Sequence, residues 1–163
     1  EALLYHLAAA DMQPYASAKD AVKKIDSLLT IMHKTYRANE AGKSVYPHKI
    51  VDGSGLSNYN MITAHLLLDY LRYAYSQKAI YDMITEALPH SGIDGTLKGR
   101  MGTKSMRRRI VAKTGSMTGV STLAGYAHAT NGHTLAFVIL NQNVLKLSQA
   151  RAWQDKVCSA IVE

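Results

Sequence analysis

Residues 109–140, RIVAKTGSMTGVSTLAGYAHATNGHTLAFVIL, decide the fold that this chain is expected to adopt. Residues 109–115 are rich in β-forming side chains, 116–119 are typical of a turn, and 120–130 predict a second strand. An Asn-Gly pair, a strong hairpin signal, separates that strand from residues 134–140, which are continuously apolar, as in a strand covered on both faces. The stretch therefore predicts a three-stranded antiparallel meander.

Helical patterns precede this meander. Residues 1–10 are helix-forming from the first residue and lack a capping side chain, which favours a chain that begins in mid-structure, with its upstream part missing. Ser17-Ala-Lys-Asp20 is typical of a capping box for an amphipathic helix of about four turns. Two more helices are expected, one over residues 61–75 with Asn60 as its cap and one that ends before Pro89.

A further helical pattern closes the chain, since Trp153, Val157 and Ile161 recur at every fourth position. Helices, a meander and a C-terminal helix predict a single α+β unit over residues 1–163. A three-stranded sheet with so apolar a third strand needs additional residues that pack against its apolar side chains and shield them from solvent. We therefore expect either an absent N-terminal half of the same protein or self-association to supply these residues.

Composition limits the classes of protein to consider. The 163 residues carry 19 Lys and Arg against 12 Asp and Glu, a formal charge of +7, and 47% of them are hydrophobic. So apolar a chain can bury a core, which argues against disorder. Its longest apolar run, residues 135–140, is too short for a transmembrane helix, which takes about 20 residues. A single cysteine, Cys158, excludes an intrachain disulfide.

Two other kinds of site are considered and set aside. The seven histidines show no metal-ligand spacing, so neither a metal nor a cofactor is expected. The basic cluster over residues 104–109 is suited to phosphate, but no stacking aromatic side chains are interleaved with it. Nucleic acid is therefore not an expected partner, and a salt-dependent gel shift with duplex DNA would contradict this interpretation.

The residues that point to chemistry lie at the end of the first predicted strand, in Lys113-Thr-Gly-Ser116. A strand edge can pair with an extended peptide, and Gly115 lacks the side chain that would keep such a peptide away. Lys113 supplies positive charge for a substrate carboxylate and for a proton-transfer network of hydroxyls. Thr114 and Ser116 add hydroxyl donors, and the Ser116 amide is placed to form half of an oxyanion hole.

Five motifs follow one another in a fixed order. They are Asp52-Gly-Ser-Gly-Leu-Ser57, Gly92-Ile-Asp-Gly-Thr-Leu97 with Arg100, Ala112-Lys-Thr-Gly-Ser116, Leu123-Ala-Gly-Tyr126 and the apolar strand that ends at Leu140. The set resembles the class C low-molecular-mass penicillin-binding proteins, the D-alanyl-D-alanine carboxypeptidase/endopeptidase family. The resemblance implies a penicillin-binding-protein/β-lactamase-like serine peptidase fold, a central antiparallel sheet flanked by helices, with this chain as the C-terminal portion of the catalytic domain.

The resemblance also implies a function. It indicates a serine-type D-Ala-D-Ala carboxypeptidase or endopeptidase of the periplasm or extracellular cell envelope, acting on peptidoglycan stem peptides through an acyl-enzyme and inhibited by β-lactams. Such enzymes combine a Ser-x-x-Lys motif, a Ser-x-Asn motif and the Lys-Thr-Gly strand, and this sequence holds only the third. The chain alone is therefore expected to be inactive. The alternative is a catalytically inactive module that binds peptidoglycan peptides or penicillin.

Site residues are carried over from the resemblance position by position. Lys113 and Ser116 receive catalytic roles, Lys113 in the nucleophile network and the Ser116 amide in the oxyanion hole, while Thr114 and Ser116 hold the terminal carboxylate. Leu56 and Met117 line the pocket for the substrate side chain. The full set of predicted substrate-binding residues is Thr114, Gly115, Met117, Leu56 and Ser57. Asn58 stands where relatives often carry an arginine that helps to select the stem-peptide side chain.

Overall fold

The computed structural model describes residues 17–36 and 47–163. In chain order the elements are α1 (Ala18–Tyr36), α2 (Ala64–Ser76), α3 (Lys78–Ala87), a 3-10 turn (Gly95–Leu97), β1 (Ile110–Met117), β2 (Val120–His128), β3 (Thr134–Gln142) and α4 (Leu147–Val162). The predicted α+β order of helices, meander and closing helix is confirmed, and the helix expected over residues 1–10 lies outside the described residues. None of the described helices is long and apolar enough to cross a membrane.

The chain divides into two compact units, Glu1–Tyr70 and Leu71–Glu163, and each is described by itself. That the whole chain forms one unit of a larger catalytic domain stays a prediction. The site residues of the Lys-Thr-Gly strand lie in the second unit, whereas Leu56 and Ser57 lie in the first.

In the first unit, α1 begins as the capping box predicts. The Ser17 hydroxyl donates to the Asp20 carboxylate at 2.5 Å, and the Asp20 amide donates back to Ser17 Oγ at 3.2 Å. The bonds from Ser17 hold the pKa of Asp20 below its ordinary value. The helix runs for 19 residues, which is about five turns instead of the four expected.

The N-cap of α2 is Thr63, so the expectation that Asn60 caps this helix is wrong. The Leu66 amide donates to Thr63 Oγ1 at 3.1 Å, and the helix begins at Ala64. Met61, where the helix was expected to start, lies in an isolated β-bridge. The chain is therefore still extended at Met61, and the Thr63 hydroxyl, two residues further on, satisfies one of the first free amides of the helix.

In the second unit, β1, β2 and β3 form a three-stranded antiparallel sheet in that order, as predicted. Met117 pairs with Val120, which leaves a two-residue turn at Thr118-Gly119. Gly119 has a φ of 74°, a conformation that glycine adopts without steric cost. Ser116 and Met117, expected in the turn, therefore belong to the strand.

The connection between β2 and β3 is longer than a two-residue hairpin. β2 ends at His128, two residues earlier than expected, and the Ala129 amide donates to the His133 carbonyl oxygen at 2.9 Å. The Asn131 side chain accepts a hydrogen bond from the His133 amide at 3.0 Å. This local bond of the asparagine stabilises a wider loop than the Asn-Gly pair alone predicts.

Side chains alternate between the two faces of the sheet. One of them, the helix face, packs against α4 and carries Ile110, Ala112, Thr114 and Ser116 in β1; the opposite face carries Val111, Lys113, Gly115 and Met117. The core lies between the helix face and α4 and consists of Leu97, Met101, Met106, Ile110, Ala112, Leu123, Ala127, Phe137, Ile139, Cys158 and Val162.

β3 is not covered on both faces by the described residues, contrary to the expectation from its apolar sequence. Phe137 and Ile139 are buried, whereas Val138 and Leu140 are only partly buried and Leu135 is 43% exposed. Two apolar side chains of the run, Phe137 and Ile139, belong to the buried core. Ala136, Val138 and Leu140 alternate with them onto the opposite face, which is half open.

Candidate functional site

The outer edge of β1 is covered in its first half and open in its second. The Ser91 amide donates to the Ile110 carbonyl oxygen at 2.9 Å, and the Ala112 amide donates to the Pro89 carbonyl oxygen at 3.1 Å. Because alternate residues of a strand direct their backbone groups to the same side, the amides and carbonyls of Thr114 and Ser116 also point to this edge. No strand in the described part of the chain pairs with the edge beyond Ala112.

The side chains of Thr114 and Ser116 lie on the helix face, where two other elements reach them. Thr114 Oγ1 donates to Thr96 Oγ1 in the 3-10 turn at 2.9 Å. Arg151 Nη2, from α4, donates to Ser116 Oγ at 3.0 Å. The end of β1, the 3-10 turn and the start of α4 therefore converge at this point.

These four side chains and Arg100 line a groove of about 410 Å³, here called the β1 groove. Its lining residues are Thr96, Arg100, Thr114, Ser116 and Arg151. Two guanidinium groups beside three hydroxyls provide hydrogen-bond donors and positive charge, the combination that a carboxylate requires.

Arg100 is held in place by a network that reaches the interior. Its Nη2 donates to Asp155 Oδ1 at 2.6 Å and to Gln154 Oε1 at 3.0 Å. Gln154, which is fully buried, donates in turn to Ser121 Oγ at 3.1 Å and to Asn141 Oδ1 at 2.9 Å. Only 13% of the Arg100 side chain is exposed, so its charge is both fixed and matched by the Asp155 carboxylate.

Lys113 leaves the strand on the opposite face from the hydroxyls. Its side chain is exposed, and Nζ donates to the Thr114 carbonyl oxygen at 2.7 Å, at the open edge. Gly115 and Met117 share this face, and a Cβ at Gly115 would collide with the Thr122 hydroxyl. The predicted residues of β1 therefore lie along the same open edge but on opposite faces of the sheet. The hydroxyls of Thr114 and Ser116 are on the helix face, in the β1 groove, and Lys113 is on the opposite face.

Asp52-Gly-Ser-Gly-Leu-Ser57 forms a polar loop in the first unit. Asn60 Nδ2 donates to Asp52 Oδ1 at 2.8 Å, and this bond is the main reason that the pKa of Asp52 lies below its ordinary value. Leu56 is 67% exposed. The Ser57 hydroxyl accepts a hydrogen bond from a backbone amide two residues on, at 3.1 Å. The contribution of Leu56 and Ser57 to a substrate pocket stays a prediction.

Sequence reasoning did not assign a role to three residues of the β1 groove. Thr96 and Arg100 lie in or beside the motif at residues 92–97, which indicated that this segment mattered but not which side chains do. Nothing in the sequence indicates a role for Arg151, because the hydrophobic pattern of α4 identifies only the apolar side chains that recur at helical spacing.

The fold and the open strand edge define a class of protein. The structure matches the crystal structure of penicillin binding protein 4 (dacB) from Haemophilus influenzae with a TM-score of 0.80 and 24% identity, over 99% of this chain and 36% of that one. A structure of the same protein complexed with a novel β-lactam matches with a TM-score of 0.78 and 26% identity, over 99% and 37%. The predicted fold of the penicillin-binding serine peptidases is thereby confirmed.

Sequence comparison gives the family within that class. The model of the D-Ala-D-Ala carboxypeptidase 3 (S13) family matches residues 23–161, and the chain belongs to this family. D-alanyl-D-alanine carboxypeptidase DacB of Haemophilus influenzae is 39% identical over 92 residues, 55% of this chain and 19% of that protein. D-alanyl-D-alanine carboxypeptidase of Actinomadura sp. is 40% identical over 95 residues, 55% and 17%. The chain spans about a fifth of the length of these curated relatives.

Proposed function

We propose that the protein is a serine-type D-Ala-D-Ala carboxypeptidase of the cell envelope, which acts on peptidoglycan stem peptides and is acylated by β-lactams. The observation that carries the proposal is the open edge of β1, where the backbone groups of Thr114 and Ser116 adjoin a groove lined by hydroxyls and cations. Membership of the carboxypeptidase family and the β-lactam complex of the Haemophilus influenzae protein support it.

Docking of the substrate follows from this edge. An extended peptide adds to β1 as a further antiparallel strand, through the amides and carbonyls of Thr114 and Ser116. Its terminal carboxylate then lies in the β1 groove among the hydroxyls. The carbonyl to be attacked lies against the Ser116 amide, whose N–H stabilises the negative charge that develops on the oxygen.

The attacking hydroxyl is assigned to a Ser-x-x-Lys segment outside this chain, since this sequence contains none. Its oxygen bonds to the carbonyl carbon of the penultimate D-Ala while its proton passes to a base. The C–N bond then breaks, the terminal D-Ala leaves with that proton, and water hydrolyses the ester. Lys113, held at the edge by the Thr114 carbonyl, provides the positive charge that orders this proton transfer. A β-lactam ring opens by the same attack, at its own amide.

Acylation of the full-length protein by a fluorescent penicillin tests the proposal, together with D-Ala release from a peptide ending in D-Ala-D-Ala. Lys113→Ala is expected to lower both rates by about 10²- to 10⁴-fold, the range of general acid–base effects. Lys146→Ala removes an exposed lysine before α4 and serves as the matched control, with both rates unchanged. A wild-type protein that binds the peptide without being acylated would instead support the alternative of an inactive binding module.

A further inference from the structure

The β1 groove carries a positive charge that the proposed docking does not yet use. Arg151 is exposed, and its Nη2 donates to the Ser116 hydroxyl at 3.0 Å. Among the described residues, no carboxylate lies within ion-pairing distance of it. Arg100, the other cation of the groove, differs because Asp155 already matches its charge. The groove therefore keeps one uncompensated guanidinium, that of Arg151.

Lys113 cannot supply this charge to the groove from its present position. Side chains at alternate positions of a strand leave opposite faces of the sheet. Thr114 and Ser116 lie on the helix face, whereas Lys113 lies on the opposite face with its Nζ bound to a carbonyl oxygen. Of the two guanidinium groups that line the groove beside both hydroxyls, Arg151 is the one whose charge Asp155 does not already match.

Two hydroxyl groups of the β1 groove keep an O–H that is free to donate to a ligand. Ser116 Oγ accepts from Arg151, so its own O–H remains free to donate. Thr114 donates to Thr96 Oγ1, so the O–H of Thr96 remains free as well. A carboxylate brings only acceptors and one negative charge and fits such a site. A neutral ester or amide at the same position lacks the charge.

We infer that Arg151 is a specificity-determining residue that binds the free carboxylate at the end of the substrate. The inference rests on the proposed function for the identity of the ligand. Arg100 is a positioning residue, because its guanidinium is bound to Asp155 and Gln154 and lies 3.4 Å from the Arg151 carbonyl oxygen in the first turns of α4. Arg151 contacts the ligand, and Arg100 fixes the helix from which Arg151 extends.

The test compares acylation by benzylpenicillin with acylation by its methyl ester, which lacks the charge, on the full-length protein by intact mass spectrometry. For Arg151→Gln the second-order rate with the acid is expected to fall about tenfold, since a hydrogen bond to a charged group contributes less at an exposed site than at one shielded from solvent. The rate with the ester is expected to stay unchanged. Arg151→Lys, which keeps the charge, is expected to restore part of the preference for the acid.

Lys156→Gln is the matched control, because it removes one exposed charge from the same helix and is expected to leave the acid-to-ester ratio unchanged. If Arg151→Gln slows acylation by the acid and by the ester equally, Arg151 has a structural role and the inference is overturned. The inference is also overturned if the variant leaves both rates unchanged. If the wild-type protein is acylated by neither compound, the proposed function fails and this inference with it. Acylation of the wild type with no effect of Arg151→Gln overturns only the inference.

Discussion

The buried amide of Gln154 donates to Asn141 Oδ1 at 2.9 Å and thereby joins α4 to β3. The same nitrogen donates to Ser121 Oγ in β2, and the side-chain oxygen accepts from Arg100 in the β1 groove. The Gln154 side chain therefore connects β2, β3 and Arg100 to α4, the helix that carries Arg151. The position of the groove depends on how α4 packs on the sheet.

Replacing this amide is expected to destabilise the protein. Gln154→Ala leaves the buried Ser121 hydroxyl and the partly buried Asn141 side-chain oxygen without their donor, at a cost of about 1–3 kcal/mol. The free energy of unfolding from urea denaturation measures the effect. Gln149→Ala, at an exposed position of the same helix, is the control and is expected to stay within about 0.5 kcal/mol of the wild type. Equal stabilities for the two variants would contradict the structural role of Gln154.

Features of the fold that rest on neighbouring residues could be predicted from the sequence. The capping box at Ser17 and Asp20 is local, and so is the strand-turn-strand pattern of the meander. The assignment of Asn60 as a helix cap failed because its side chain instead closes the loop at Asp52, eight residues away. Local preference could not reveal which of two partners an asparagine takes.

The candidate site could be predicted only in part for the same reason. Thr114 and Ser116 belong to a motif that is contiguous in the sequence, so their chemistry could be read directly. The bond between Ser116 and Arg151 spans 35 residues and depends on how α4 packs across the sheet. No spacing within α4 marks Arg151, since an exposed arginine on a helix has the same pattern whether or not it faces a groove.

Close approach of two strands makes a second position sensitive to substitution. A Cβ at Gly125 would lie 2.6 Å from the Ala112 Cα and 2.8 Å from its Cβ. Gly125→Ala is therefore expected to lower the free energy of unfolding by about 1–3 kcal/mol, as overpacking does. Gly99→Ala is the matched control, because a Cβ there meets nothing within 4 Å. Denaturation curves for both variants that coincide with the wild type would contradict the packing of β1 on β2.

The hydroxyl of Tyr126 gives a third prediction. It donates to the Leu71 carbonyl oxygen at 2.7 Å, and burial raises the pKa of Tyr126 to about 12. Tyr126→Phe keeps the ring but removes the donor, and is expected to cost about 0.5–1.5 kcal/mol of stability by thermal unfolding. Tyr59→Phe, at a side chain that is 67% exposed, is expected to change little. A Tyr126→Phe variant as stable as the wild type would rule out this bond as a stabilising contact.

Cys158 is expected to be unreactive in the folded protein. Its side chain is fully buried, and burial raises the pKa of the thiol to about 12. At pH 8 iodoacetamide is therefore expected to modify Cys158 only after denaturation, as read by peptide mass spectrometry. The unfolded thiol ionises near pH 8.5, so the folded state loses stability relative to Cys158→Ala as the pH rises above that value. Rapid alkylation of the native protein would contradict the burial of this thiol.

Gly115 can be required either for the sheet or for the substrate, and two substitutions separate the possibilities. A Cβ at Gly115 would collide with the Thr122 hydroxyl, its cross-strand neighbour, so Gly115→Ala is expected to lower stability by about 1–3 kcal/mol. Thr122→Ala removes that hydroxyl, so the double variant is expected to regain most of the lost stability. Because the proposed peptide also approaches this edge, penicillin acylation of the double variant is expected to remain slow. Recovery of both stability and acylation would show that Gly115 serves the packing of β1 on β2 alone.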